Sequence, residues 1–358
     1  MNRSPYTSPS RLAPILLTAV IAGAIAWLSY RPRARSSSGS DIELTGNTMG
    51  GTWSVKLPRL PSSQTADSLT RTIQARLDYV ERQTTTYRDE SDLMRFNHGV
   101  QTDWQAVPID LAAIVATALD LSEQTAGAFD VTVKPLVDLW GFGPKPAGVR
   151  TGHVPTDAEI AAARQHVDYH LLHARLSPPA LKKDDPALTI DLSAIAKGYA
   201  AGQIAAGLDA LGATDYLVAV GGELRARGQS SLARPWRAGV EVPTPDTHRV
   251  LCRVQLRDTA LSTSGDYRNF ADLAGHRYSH EIDPHTGRPV TGDLASVSVI
   301  HPDSDRADAL ATALMVLGPK AGYELAVRQN LAACFVLRAD REFKTLITPE
   351  FDRAIVKD

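Results

Sequence analysis

The chain has 358 residues, 43% hydrophobic and 22% charged, with a formal net charge of −2. That balance can bury a sizeable core, and it excludes a disordered or fibrous chain. The basic residues are scattered rather than gathered in a stripe, which excludes the phosphate-neutralising surface of a nucleic-acid binder.

Residues 1–11 form a basic tail with Arg3 and Arg11, and Leu12–Tyr30 follows as nineteen residues without a charge. At about 1.5 Å of rise per residue, such a run spans a bilayer core as a helix. Arg31, Arg33 and Arg35 lie on its far side, so arginine on both flanks gives the positive-inside rule little to decide on. Ala24 and Ala26 offer an A-x-A-like cleavage site, so a transmembrane anchor, a removed signal segment and a merely buried core helix all stand. No cysteine lies near the segment, which excludes attachment through a lipidated N-terminal cysteine. Residues 31–40, RPRARSSSGS, read as a flexible linker. The folded part is expected over residues 41–358, as one domain with two lobes because its length exceeds the common size of a single core.

Along that part, GTWSVKL reads as a strand, and Ala66–Thr84 as a helix with Ile73, Leu77 and Val80 on one stripe. A second helix is expected from about Leu111 to Thr125, closing at Gly127. LTID, then LSAIAKGYAAGQIAAGLDALG, reads as strand, turn and helix, with Gly212 as the C-terminal cap. DYLVAVGGELRARG reads as two strands about a Gly-Gly turn. Further strands are expected near Cys252, Tyr278 and Ser296–Ile300, then a helix through ADALATALMVL, Ala307–Leu317, and a last strand through Cys334. Strands and helices mix without regular alternation, so the fold class is α+β, with mixed sheets and packed helices. Two cysteines at no metal-ligand spacing read as buried thiols, with a disulfide open if the domain is exported.

Three stretches carry chemistry. In the Ala307–Leu317 helix, Leu310, Leu314 and Leu317 make one side, while Asp308 and Thr312 stack one turn apart on the other. A capped helix start, with Ser304 or Asp305 as cap, explains such an acid; so does a hard-cation site using carboxylate and hydroxyl oxygens. Two oxygens are too few for that site, so a further ligand must come from elsewhere. DLSAIAKGYA places Asp191 and Lys197 at a helix start, where an anion is readily held. It is neither a Walker loop nor a G-x-G-x-x-G fingerprint. HRYSHEIDPHTGRPV sets His280 and Asp283 in a tightly turned loop.

Taken together, TMGGTWSVKL, TTYRDESDLMRFN, AFDVTVKPLVDLWGFG, IDLSAIAKGYAAG, YLVAVGGELRARG, STSGDYRNF, HEIDPHTGRPV and ADALATAL resemble, in order, the FAD:protein FMN transferases of the ApbE family. The resemblance runs from Thr48 to about Ala326. It implies binding of FAD as substrate and, with Mg²⁺, transfer of its FMN half to a Ser or Thr hydroxyl of an acceptor protein, with release of AMP. It also implies the site residues. Met49, Tyr87, Ala128, Phe129, Asp130, Asp191, Lys197 and Ile282 match FAD contacts. Ala194, through its carbonyl, matches the metal site with Asp308 and Thr312, and with FAD implied the alanines around those two residues read as a small-residue wall that lets the dinucleotide approach. His280 is the leading candidate for the base, and Asp283 of the same loop is the second candidate catalytic group. With the N-terminal segment, the expected acceptor is a membrane redox subunit. The expected location is the inner membrane with the domain in the periplasm, or export after cleavage.

The chain departs from the family pattern at Gly51, where Thr is more usual, and at TTTY, where Ser precedes Thr-Tyr. Within the family, FAD pyrophosphatases use water in place of the protein hydroxyl, and that alternative stays open, as does a flavin-binding protein without turnover.

Overall fold

A computed structural model describes residues 40–144, 154–244, 249–267, 270–273, 276–339 and 342–357. The basic tail, the apolar segment 12–30 and the linker up to residue 39 lie outside them. Among the described residues no helix is long and apolar enough to cross a membrane.

The first part of the chain forms β1 (Ile42–Thr48), β2 (Gly51–Leu57), α1 (Ala66–Thr84), α2 (Asp92–His98), β3 (Gln105–Ala106), α3 (Ile109–Gln124), α4 (Lys134–Trp140) and α5 (Asp157–Arg164). There follow β4 (Leu172–Leu176), β5 (Pro179–Lys183), α6 (Ala196–Ala210), β6 (Tyr216–Val220), β7 (Glu223–Arg227), β8 (Trp236–Glu241), β9 (Val250–Leu256) and β10 (Ala260–Gly265). The last part holds β11 (Phe270–Leu273), β12 (His276–Ser279), β13 (Ile282–Asp283), β14 (Arg288–Pro289), β15 (Leu294–His301), α7 (Ser304–Arg328), β16 (Ala332–Ala339), β17 (Glu342–Ile347) and α8 (Pro349–Asp352).

Period-two alternation builds the main sheet. Trp53, Val55 and Leu57 of β2 and Tyr216, Val218 and Val220 of β6 all point to one face, into the larger core. Among the described residues that sheet has eight strands in the order β1-β2-β6-β7-β10-β15-β16-β17, every neighbour antiparallel. Spatial order is therefore chain order, a meander with insertions between some of its strands. Helices α1, α6 and α7 cover one face, where Leu69, Ile73, Leu77, Ile204, Leu208, Leu310 and Leu314 join the core. The β8-β9 hairpin and Phe351 of α8 cover the other face, against Leu261, Ile300, Cys334 and Val336. A small sheet, β3-β5-β4, packs on α3, and a satellite cluster joins Leu136 and Trp140 of α4, Ile160 of α5 and Ile282.

Most sequence expectations are met within a residue or two: α1 begins in a Thr65–Ser68 capping box, and Gly212 lies in left-handed conformation after α6. Three are corrected. LTID is extended but forms no strand; the Asp191 N–H bonds to the Val131 carbonyl and Ile190 N–H to Asn97 Oδ1. The Ala307–Leu317 stretch is part of a longer helix, α7, kinked at Gly318-Pro319. Its N-cap is Asp303, and the Ser304 hydroxyl instead donates to the Gly198 carbonyl at 2.6 Å. The alanines of that helix do not face a ligand: Ala307, Ala309, Ala311 and Ala313 are fully buried in protein contacts. Both cysteines are free thiols, on β9 and β16, and burial pushes the Cys334 thiol up to about 12.

Candidate active site

Antiparallel pairing brings several turns to one end of the sheet. Met49-Gly50 is the two-residue turn of the β1-β2 hairpin, with φ positive at both positions, and Gly221-Gly222 is the turn between β6 and β7. The pairing of Trp53 with Val220 sets these turns side by side. The end of β10, from Thr263 to Gly265, arrives beside them, and α7 runs beneath so that Thr312 Oγ1 meets Ser264 Oγ at 2.9 Å. The result is a cleft of about 1190 Å³. Pockets for drug-sized ligands span about 300–1,000 Å³, so this one has room for a dinucleotide.

Of the residues singled out from sequence, Met49, Tyr87, Ala128, Phe129, Asp130, Asp191, Ala194, Lys197, His280, Ile282, Asp308 and Thr312 all line this one cleft. Asp283 does not. Its Oδ1 accepts from the His285 N–H at 2.9 Å and its Oδ2 from the Thr286 hydroxyl at 2.8 Å. A carboxylate occupied in this way shapes the turn carrying Ile282 and Pro284.

One wall is built for a flat, apolar group. Glu81 of α1 accepts the Met49 N–H at 3.1 Å and so fixes the hairpin turn against the helix. Asp130 faces inward but is spent on structure: Oδ1 takes the N–H and hydroxyl of Thr132, both at 2.7 Å, and Oδ2 the N–H of Tyr169 at 3.1 Å. Burial pushes its carboxyl above the usual range against those bonds. Asp191, tied by its N–H to Val131, accepts the Ser193 N–H at 2.7 Å and turns the chain into α6. Tyr87 stands at the mouth, 73% exposed, an aromatic ring open to a stacking partner.

The other wall is ionic. Asp308 is 3% exposed, and its Oδ2 accepts the Gly198 N–H at 2.9 Å. Burial, and then Glu223 beside it, push its carboxyl up to about 7, with Lys197 pulling the other way. Lys197 donates to Glu223 Oε1 at 2.5 Å. Burial alone would lower its ammonium, but Asp308 and Glu223 outweigh that and hold it above the ordinary lysine value. Glu223 is itself 3% exposed, and its Oε2 has no hydrogen-bond partner. Across the cleft, His280 Nε2 lies 3.7 Å from Oε1 of the buried Glu281. Glu223, Glu281, Glu81 and Ser264 were missed from sequence. No local signal marked them: Glu223 directly follows the Gly-Gly turn, but in a strand that also carries Arg225 and Arg227.

Among the described residues no group of three or more His, Cys, Asp or Glu side chains forms a metal cage. What the cleft does offer is Asp308, Thr312 and the Ala194 segment, a hard-oxygen set, together with carboxylates short of positive charge. Such a set fits a cation of the magnesium class that completes its shell with water or substrate phosphate.

Residues 49–335 match a family described as the ApbE family. The chain is 39% identical over 329 residues to the FAD:protein FMN transferase of Salmonella typhimurium, covering 91% of this chain and 93% of that protein. To the enzyme of the same name from Escherichia coli it is 37% identical, covering 92% and 93%. Among solved structures, the flavin transferase ApbE from Vibrio cholerae superposes with a TM-score of 0.80 at 37% identity, covering 88% of this chain and 99% of that one. The apo flavinyl transferase ApbE of Pseudomonas stutzeri gives 0.79 at 40% identity, covering 88% and 96%.

Proposed function

This chain belongs to the ApbE family, and we propose that it transfers FMN from FAD to a Ser or Thr hydroxyl of an acceptor protein in a Mg²⁺-dependent reaction. The observation that carries the reading is the convergence of His280, Lys197, Asp308 and Thr312 on the cleft whose other wall holds Met49, Tyr87, Phe129 and Ile282.

The isoalloxazine packs on the Tyr87 side and the diphosphate lies toward Lys197 and α7. Asp308, Thr312 and the Ala194 carbonyl would hold Mg²⁺, which when bound neutralises charge on the diphosphate oxygens. Lys197, kept cationic by its acidic neighbours, supplies a fixed positive charge at the same place. His280 takes the hydroxyl proton as the oxygen lone pair forms the bond to the FMN phosphorus. The bond from that phosphorus to the bridging oxygen breaks, and AMP leaves with the electron pair.

The acceptor we propose is a membrane redox subunit, reached by a domain held in the periplasm through residues 12–30 or released there by cleavage. The charge-free run is long enough to serve as that membrane segment. The test is co-expression with candidate subunits followed by intact-mass measurement. A gain equal to FMN in phosphoester linkage is expected. AMP release from FAD and Mg²⁺ without a labelled protein would replace transfer by hydrolysis.

A further inference from the structure

We propose that Glu281 is a positioning residue for His280, orienting the imidazole and stabilising the cation that forms when His280 accepts the acceptor's proton. The inference rests on the reading of His280 as the base.

Glu281 is 7% exposed and lines the cleft. Its backbone is fixed at both ends, the N–H donating to Ser279 Oγ at 3.1 Å and the carbonyl accepting from the Val290 N–H at 2.8 Å. A side chain on such a backbone has few ways to turn outward. Its neighbour Ile282 is buried too. Burying a carboxylate costs several kcal/mol unless an opposite charge is supplied; burial pushes the Glu281 carboxyl above the usual range, and His280 first, then Lys197, pull it back.

The charged groups that act on it come from every element around it. Lys197 on α6 is attractive, but its ammonium is already engaged by Glu223 of β7 at 2.5 Å. Asp308 on α7 adds further negative charge nearby. Asp266, just past β10, is repulsive, and its own carboxylate is paired with Arg338. That leaves His280, whose Nε2 lies 3.7 Å from Glu281 Oε1. A neutral imidazole answers the carboxylate with a dipole only, whereas an imidazolium answers it with a full charge. Glu281 therefore interacts more strongly with the state of His280 reached after proton transfer than with the state before it, which is the requirement for accelerating a step rather than tightening binding. The proton stays on His280 throughout, and Glu281 need not accept it.

The experiment uses the full chain with FAD, Mg²⁺ and the acceptor identified by its FMN mass gain. Glu281→Gln keeps the shape and removes the charge. Its kcat is expected to fall about tenfold to thirtyfold, with KM for FAD and the quenching of flavin fluorescence on binding unchanged. In a His280→Ala background the same substitution is expected to leave the residual rate within about twofold, because a group acting through His280 has nothing left to act on. Equal losses in both backgrounds would overturn the proposal, as would a wild-type kcat for Glu281→Gln. A loss of kcat matched by a loss of flavin quenching would assign Glu281 to folding instead. Glu281→Asp, which retains the charge, is expected to recover part of the rate. If the wild-type chain itself labels no acceptor, it is the transferase reading that fails, and that outcome is separate from each of these.

Discussion

Gly198 sits where α6 crosses α7, and the crossing is tighter than any other side chain allows. A Cβ placed there would lie 2.2 Å from the Ser304 carbonyl oxygen and 2.7 Å from Asp308 Cβ. Real Cβ atoms keep at least 3.0 Å from such neighbours, so Gly198→Ala must part the helices locally by about 0.8 Å. Overpacking of this kind costs about 1–3 kcal/mol. The shift also stretches the Gly198 N–H bond to Asp308, and hydrogen bonds to charged groups contribute about 1.5–3 kcal/mol. Alanine's better helix propensity returns up to about 1 kcal/mol, leaving a net loss of roughly 3 kcal/mol. With an unfolding entropy of about 2.1 cal/mol/K per residue over roughly 320 residues, Tm should fall by about 4 °C. Gly207 is the control: it lies in the same helix with open space around its Cα, and Gly207→Ala is expected to be neutral or stabilising by up to about 1 kcal/mol. Calorimetric melts of both variants, with Mg²⁺ titrations beside them, check the reasoning. A Gly198→Ala protein that melts with wild type, or binds Mg²⁺ as tightly, would refute it.

Because the Asp308 carboxyl is pushed up to about 7 in the fold, Mg²⁺ must displace a proton from it below that pH. Apparent Mg²⁺ affinity is expected to fall by up to about tenfold per unit below pH 7, with proton release visible calorimetrically in buffers of different ionisation enthalpy; a flat pH dependence would sink this. The sign for the metal-free fold is set by the same shift. Asp308's contribution to stability is fully present below about pH 4, its unfolded value, and is lost as pH rises through about 7. His280→Ala is expected to retain FAD quenching while the transfer rate falls by roughly 10²–10⁴-fold; joint loss of binding and rate would make the histidine structural.

The local pattern carried the elements well, because capping residues, period-two strands and Gly turns are written in adjacent residues. What adjacency cannot carry is which polar group is already satisfied. Asp283 and Asp130 look as reactive in sequence as Asp308, yet the first is consumed by His285 and Thr286 and the second by Thr132 and Tyr169. Glu223 and Glu281 were invisible for the converse reason. Their weight comes from Lys197 and Asp308, which are far off in the chain and reach them only through the β6-β7 turn and the α6-α7 crossing. The alanines of α7 were misread because small residues permit close approach by a ligand or by a helix, and only the position of Gly198 decides between them.

The strand order of the main sheet has a kinetic consequence. The hairpins β1-β2 and β6-β7 close over turns of two residues, but joining β2 to β6 must wait until residues 58–215 have been gathered into a loop. That closure carries an entropy cost that pairing rewards only afterwards, so the seam between β2 and β6 is expected to zip late in folding. Met49 lies on one side of this seam and Glu223, His280 and Asp308 on the other, while Lys197 belongs to the closing loop itself. The two halves of the cleft are thus strangers until the final docking event, and a flavin nucleotide can recognise only a chain that has completed it.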